Sequence, residues 1–240
     1  MENMGHMVEE LLHELSVLPL FSEHIGTFTL TNYTLFLLIA FTVTVLFFGI
    51  ATRRISLVPK GIGNVVEAGV SFVRDGLCVD ILGSENGRKY FPFIGTIFFF
   101  VLFNNLIGLI PGALPGTGTI GVTVTWGVIV FVVYNSIGIR KNGFLRYMKS
   151  FVPSGTPILL MPLIFLLEIV SHFLRPITLG IRLYANMFAG EQVTLVFISL
   201  VPLVVPAVFM GLHVFVAFLQ AFVFALLTMI YLSSAVSHEH

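Results

Sequence analysis

Long stretches without a formal charge are the feature of this sequence that most restricts its fold. One runs from Ile25 to Thr52, another runs from Tyr90 to Ile139, and beyond Ser150 the chain stays apolar almost to its end. A helix needs about 20 predominantly apolar residues to cross a bilayer. The whole chain is 57% hydrophobic and only 10% charged, with a mean hydropathy of +1.01. The sequence therefore predicts an all-α integral membrane protein.

Proline and glycine divide these stretches into five predicted transmembrane helices. The Pro-Gly-rich segment 111–116 splits the second stretch into a hairpin, and Pro202 and Pro206 separate the last two helices. The predicted spans are residues 31–52, 90–111, 119–139, 157–200 and 207–235. The last two exceed the thickness of a bilayer, so we expect them to be tilted. Residues 1–30 are predicted to be an external segment of this single membrane domain.

Residues 61–82 have the pattern of an amphipathic helix. Apolar residues such as Ile62, Val66 and Val73 recur at helical spacing, whereas Glu67 and Arg74 take other positions. The segment is too charged to cross a bilayer and too apolar for a solvated linker. We interpret it as a helix in the membrane interface. A soluble linker helix that packs against a partner is the alternative.

The distribution of basic residues predicts the orientation. Ten of the 12 Lys and Arg residues lie in the connections 53–89 and 140–149. Basic connections mark the cytoplasmic side, so the N-terminus is predicted outside and the C-terminus inside. The first 30 residues contain no Lys or Arg, and a signal peptide is therefore not expected.

Charge balance and cysteine content exclude several other classes of function. The 12 Lys and Arg residues equal the 12 Asp and Glu residues, so no basic surface for nucleic acid is expected. A single cysteine, Cys78, excludes an internal disulfide and a cysteine-based metal site, and its expected role is that of a small apolar side chain. We predict no metal and no cofactor.

The fourth predicted span contains ionisable residues that need an explanation, because each costs about 2.5–3.5 kcal/mol near the bilayer centre on insertion scales. At 100° per residue, one stripe of this helix holds five polar side chains, which are Glu168, His172, Arg175, Arg182 and Asn186. Glu191 falls on another face. In the last span, His213 and Gln220 share a face. These stripes are candidates to line aqueous paths.

Structural roles compete with functional ones at these positions. Glu168 and Arg175 are spaced to form an ion pair within one helix. Arg182 has no acidic residue one turn away, so its partner is expected on another helix or another subunit. His213 has the alternative of a buried histidine with structural hydrogen bonds, and Asn104 and Asn105 are interpreted as interhelical hydrogen-bonding residues.

Several motifs resemble the a subunit of F-type ATP synthases. The stretch from Leu179 to Glu191, LGIRLYANMFAGE, is similar to the signature of that family. The resemblance extends to His213, to Gln220–Phe222 and Leu227–Leu232 in the last span, and to Asn105–Pro111 in the second. The proton-path acid that some family members carry at the position of Gly108 is absent, which weakens the case for proton transfer in the second span.

The resemblance implies a stator subunit that supplies two offset proton half-channels to the carboxylates of a rotating c ring. Arg182 takes the position of the essential arginine. Glu191, His213, Asn186 and Gln220 match the half-channel open to the outside, and Glu168 with His172 matches the one open to the cytoplasm, with Arg175 as an ion-pair partner. The implied partners are the c ring, the b-subunit peripheral stalk, the remaining ATP synthase subunits and lipid in a bacterial inner membrane.

Two hypotheses from other classes stay open at this point. An autonomous secondary transporter or channel would use the same buried charges as its own ion site. The absence of an internal repeat and the unpaired Arg182 speak against it. An intramembrane hydrolase would need a recognisable Ser/His or Asp/Asp motif, and the sequence shows none.

Overall fold

The computed structural model describes residues 32–53, 62–110, 113–149, 151, 157, 159–200 and 204–236. The regular structure in these ranges is helical, and the α-helices are α1 (Asn32–Arg53), α2 (Ile62–Val73), α3 (Asp80–Ile107), α4 (Ile120–Asn142), α5 (Phe144–Lys149), α6 (Met161–Leu200) and α7 (Val204–Val236). A π-helical segment, Arg74–Val79, joins α2 to α3, and a 3-10 turn, Gly116–Gly118, precedes α4. The predicted external segment and residues 237–240 lie outside the described residues.

The lengths and apolar compositions of these helices confirm an all-α membrane protein. Among the described residues, four helical stretches are long and apolar enough to cross a membrane, namely Gly63–Ile107, Ile120–Asn142, Met161–Thr194 and Val208–Val236, and Tyr33–Gly49 is a shorter apolar helix. Large apolar side chains such as Phe41, Leu166 and Phe215 are exposed on the outer surface. A soluble monomer does not tolerate so much exposed apolar surface, whereas lipid does.

A glycine reverses the chain between α2 and the membrane-crossing part of α3. Gly83 has φ 79° and ψ 168°, a conformation that is essentially restricted to glycine. The segments on either side then run antiparallel, because Gly87 lies against the backbone of Cys78 and Gly69 lies against the ring of Phe99. The predicted helix 61–82 thus packs along α3, and its location in the membrane interface stays a prediction.

The helices pack through aromatic rings and glycines. α3 packs most extensively on α7, and α4 on α6. A Cβ added to Gly180 of α6 would lie 2.7 Å from Val124 Cα of α4, and one added to Gly127 would collide with the carbonyl group of Pro176. Small residues let helix backbones approach closely in lipid, where van der Waals contact replaces the hydrophobic effect as the driving force. Cys78 is fully buried in this core, as predicted.

Side-chain hydrogen bonds join the C-terminal ends of α4 and α7. The sequence predicts that both ends face the cytoplasm. Lys141 Nζ donates to the carbonyl oxygen of Val236 at 3.1 Å, and Asn142 Nδ2 donates to that of Ala235 at 3.1 Å. The last carbonyls of a helix have no partner within the helix, and a cation beside them also favours the helix dipole. These contacts fix the end of α7 against α4.

Candidate functional site

Arg182 lies on the exposed face of α6. Its side chain makes no ion pair with any other described residue, although it sits in the middle of a long apolar helix. Asn186, one turn later, is also exposed. A guanidinium remains charged at any accessible pH, so this face of the subunit presents a permanent positive charge for which the described chain supplies no anion.

Arg175, two turns before Arg182, has a different environment. Its Nη2 lies 2.9 Å from Glu168 Oε1, with the two side chains 26% and 37% exposed. Its guanidinium carbon also lies 5.3 Å from the ring centre of Tyr231 on α7, in cation–π geometry. The ion pair foreseen from the spacing of Glu168 and Arg175 is therefore present, and Tyr231 is a third member that the sequence did not suggest.

His172 is buried between α6, α4 and α5. Its Nε2 donates to Asn135 Oδ1 at 2.8 Å, and the hydroxyl of Tyr147 donates to the same oxygen at 2.9 Å. Burial raises the pKa of Tyr147, so this hydroxyl stays protonated and remains a donor. Phe151 packs on the imidazole with ring centres 4.9 Å apart. His172 is therefore held firmly beside the Glu168–Arg175 pair.

Glu191 points away from the face that carries Arg182. Its Oε2 lies 3.5 Å from the place that a Cβ of Gly118 would take, and Cε1 of Tyr33 lies 3.6 Å from the same place. The half-buried carboxyl group of Glu191 thus lies beside the 3-10 turn and near Tyr33 of α1. This agrees with the expectation from helical geometry that Glu191 has a different neighbour from Arg182.

His213 of α7 packs directly on α6 at Gly190. A Cβ on Gly190 would come within 2.7 Å of His213 Cε1, so glycine is needed for this approach. The imidazole is 7% exposed, and its Nε2 has no hydrogen-bond partner among the described residues. Within the described ranges, Nε2 therefore lacks the hydrogen bond that the alternative of a purely structural histidine would supply. Gln220 is half buried two turns later on α7.

Two adjacent asparagines of α3 lie close to the same turn. Asn105 accepts a hydrogen bond from Thr117 at 2.8 Å and donates to the carbonyl oxygen of Ala217 at 3.4 Å, so it joins α3, the turn and α7 as predicted. Asn104 is equally buried, yet neither Nδ2 nor Oδ1 has a partner among the described residues. A buried polar group without a partner costs about 1–3 kcal/mol. Asn104 therefore does not fit the interhelical role predicted for it.

The polar side chains of the described chain separate into two groups along α6. One group holds Glu191, His213 and the asparagines around the turn, and the other holds the Glu168–Arg175 pair with His172. At 1.5 Å per residue, Arg182 lies about 10 Å beyond Arg175 and about 14 Å before Glu191 along the helix axis. No three His, Cys, Asp or Glu side chains in the described ranges are placed to hold a metal ion.

Comparison with known proteins identifies the family. A sequence model of the family described as ATP synthase A chain matches residues 34–233. The chain belongs to the ATP synthase subunit a family. Its match begins within α1 and ends within α7, so it includes both polar groups and Arg182.

Individual relatives support this membership. The subunit a of Solibacter usitatus is 45% identical over 210 residues, which cover 87% of this chain and 88% of that protein. The subunit a of Bdellovibrio bacteriovorus is 47% identical over 162 residues, covering 67% and 69%. That of Pelagibacter ubique is 42% identical over 220 residues, covering 88% and 89%.

Membership of the subunit a family defines the role of the chain at a coarse level. It is a membrane subunit of the proton-translocating ATP synthase and not a catalytic subunit, and its partners are other subunits of that complex. Its apolar helices and its bacterial relatives make it an integral protein of a bacterial inner membrane. The catalytic chemistry of ATP synthesis therefore takes place on other subunits.

Proposed function

We propose that this subunit a is the stator of a rotary F-type ATP synthase and provides two offset proton half-channels to the c-ring carboxylates, with Arg182 between them. The observation that carries the proposal is the contrast within α6. Glu168 is engaged by Arg175 and Glu191 faces the turn, which leaves the exposed Arg182 without an anion of its own among the described residues. A carboxylate on a neighbouring subunit would supply that anion.

The chemistry of a guanidinium suits this task. It cannot relay a proton, because it does not release one at accessible pH. It favours the charged form of a nearby carboxylic acid, so an arriving ring carboxyl group loses its proton beside Arg182. Its fixed charge also repels a proton that would pass straight from one half-channel to the other. Proton flow then requires that the ring turn.

The residues on either side of Arg182 are assigned to separate paths. Glu191 and His213, with Asn186 and Gln220, form the half-channel open to the outside, since carboxylate and imidazole exchange protons readily near neutral pH. Glu168 belongs to the half-channel that reaches the cytoplasm, together with His172, whose ring is held by Asn135. Arg175 holds Glu168 in place through their ion pair.

The same proposal fixes partners and orientation. The exposed face around Arg182 is assigned to the c ring, and the b-subunit peripheral stalk holds the subunit against rotation. The N-terminus lies outside and the C-terminus in the cytoplasm, as the basic connections indicate. The driving force is about 2.3 kcal/mol per proton per 100 mV of membrane potential, so a leak past Arg182 would remove the coupling.

The experiment is ATP-driven acidification of inverted membrane vesicles that carry the assembled complex. Arg182→Ala is expected to abolish acidification at unchanged subunit content, because no fixed charge then discharges the ring carboxyl group. Arg175→Lys is the matched control on the same helix, and it is expected to retain most of the activity because a lysine can still pair with Glu168. Normal acidification by Arg182→Ala would refute the mechanism and leave the autonomous transporter, which predicts proton transport by the purified chain alone.

A further inference from the structure

Asn104 is the most completely buried polar side chain for which the described residues offer no hydrogen-bond partner. It is 0% exposed, and both its Nδ2 and its Oδ1 are unpaired. Asn105 beside it is buried to the same extent and has two partners. Asn104 therefore makes no side-chain hydrogen bond that joins the helices within the described ranges. An unpaired amide in such a place calls for an explanation, and a small polar ligand would satisfy both of its polar atoms.

The surroundings of Asn104 connect it to the outer polar group. Its Oδ1 lies 3.3 Å from the place that a Cβ of Gly116 would take, at the first residue of the 3-10 turn. Glu191 Oε2 has the same relation to Gly118, the last residue of that turn. Asn104 and Glu191 therefore lie at the two ends of one short turn built from residues without bulky side chains.

An acidic side chain at position 108, one turn after Asn104, does not fit the present packing. A Cβ on Gly108 would come within 2.7 Å of Pro115 Cγ, so a side chain there would require Pro115 to shift. On α3, Asn105 contacts the turn and α7, and Asn104 lies beside the first residue of the turn. Asn105 is already occupied, which leaves Asn104 available to a mobile ligand.

We propose that Asn104 binds water and holds a proton-conducting water chain that leads to Glu191 in the outer half-channel. The amide donates through Nδ2 and accepts through Oδ1, so it orients a water molecule in either direction while it neither gains nor loses a proton itself. A buried water needs two to four polar partners, and Asn104 offers one unpaired donor and one unpaired acceptor toward that number. Asn104 is therefore a positioning residue, and the inference rests on the proposed function.

Substitution in the whole complex tests this role. Asn104→Leu removes both polar atoms at similar volume, and we expect a severalfold loss of proton flux, measured as ATP-driven acidification of inverted membrane vesicles. Asn104→Ser keeps a donor and an acceptor and leaves room for water, so its flux is expected to stay close to that of the wild type. If Asn104 had only a structural role, Asn104→Leu would keep the wild-type flux, because the loss of an unpaired amide leaves the packing intact.

Thr123→Val is the matched control. Thr123 is also 0% exposed, but its hydroxyl bonds only to carbonyl oxygens at the start of its own helix, at 3.2 and 3.4 Å. Its removal is expected to leave the flux unchanged. A wild-type flux in Asn104→Leu would overturn the inference, as would an equal loss in Asn104→Leu and Thr123→Val.

A second measurement covers the case in which Asn104→Leu fails to assemble. In a Cys78→Ser background, Asn104→Cys is expected to react from the outside with a small water-soluble thiol reagent, whereas Val101→Cys, one turn earlier and equally buried, is not. No reaction at residue 104 would overturn the inference. The proposed function is tested separately, because it would be contradicted by normal ATP-driven acidification in Arg182→Ala.

Discussion

Arg182 and Arg175 show how the environment of a side chain determines its role. Both guanidiniums lie on α6, and both cost free energy to place within a membrane. Arg175 is stabilised within the subunit by the carboxylate of Glu168 and by the ring of Tyr231. Arg182 has no such contact among the described residues, so its stabilisation must come from outside the described chain. This contrast supports the intersubunit role that we propose for Arg182 and the ion-pair role that we propose for Arg175.

Gly190 permits the contact between α6 and His213, and this contact can be tested. Gly190→Ala places a methyl group where the imidazole lies, so the ring must move. We expect a severalfold slower ATP-driven proton pumping by a complex that still assembles. Gly211→Ala is the matched control on α7, because a Cβ there has nothing within 4 Å. Equal pumping by both variants would show that the position of His213 does not matter.

Glu191 is predicted to act as a carboxyl group that exchanges protons. Glu191→Gln keeps the size of the side chain and removes this exchange, so pumping is expected to slow severalfold and to lose its dependence on external pH near neutrality. Initial rates of vesicle acidification over a range of pH measure both effects. Glu85→Gln, which alters an exposed carboxylate at the start of α3, is the control. An unchanged pH profile in Glu191→Gln would remove this residue from the path.

The sequence predicts which polar residues lie within the helices, but it does not predict all of their contacts. The Glu168–Arg175 pair follows from spacing within one helix, since residues seven apart lie on the same face. By contrast, the roles of Asn104 and Asn105 differ because of Thr117 and Ala217, which belong to distant parts of the chain. Such differences depend on tertiary distances that no local pattern contains.

At the scale of helices, glycines decide where elements meet. Gly83 allows the chain to reverse before the membrane-crossing part of α3, and Gly127 and Gly180 allow α4 and α6 to touch. We expect Gly83→Ala to destabilise the subunit by about 1–3 kcal/mol, because alanine is strained at this backbone conformation. Thermal loss of assembled subunit in detergent measures the effect.

Gly76→Ala is the control for this prediction. Gly76 lies in the π-helical segment, and the nearest side-chain atom would be 4.0 Å from a Cβ there. No loss of stability is expected. If Gly83→Ala were as stable as Gly76→Ala, the reversal at Gly83 would not depend on glycine.

The helix bounds can be set beside the predicted spans, which stay predictions as membrane crossings. The predicted span 119–139 compares with Ile120–Asn142 for α4, and the predicted span 207–235 compares with Val204–Val236 for α7. α3 begins earlier than the predicted span 90–111, because its helix continues through the charged residues that precede the apolar stretch. Apolar composition marks what can lie in lipid, whereas a helix ends where its backbone geometry changes.

At the scale of the whole molecule, the five-span topology makes a prediction about sidedness. In a Cys78→Ser background, Thr27→Cys is expected to be labelled by a membrane-impermeant thiol reagent from the outside only. Arg146→Cys, in the basic connection before α6, is expected to be labelled from the cytoplasmic side only. Labelling of intact cells and of inverted vesicles distinguishes the sides. Reaction of both cysteines from the same side would contradict the three predicted spans between residues 27 and 146.

The separation of the two half-channels by Arg182 is the central claim, and proton leakage tests it most directly. Vesicles that carry the complete complex are given a pH gradient without nucleotide, so the rotor does not turn. The wild type is expected to hold the gradient, whereas Arg182→Ala at the same subunit content is expected to dissipate it, because the fixed charge between the paths is gone. A gradient that decays equally slowly in both would contradict the claim.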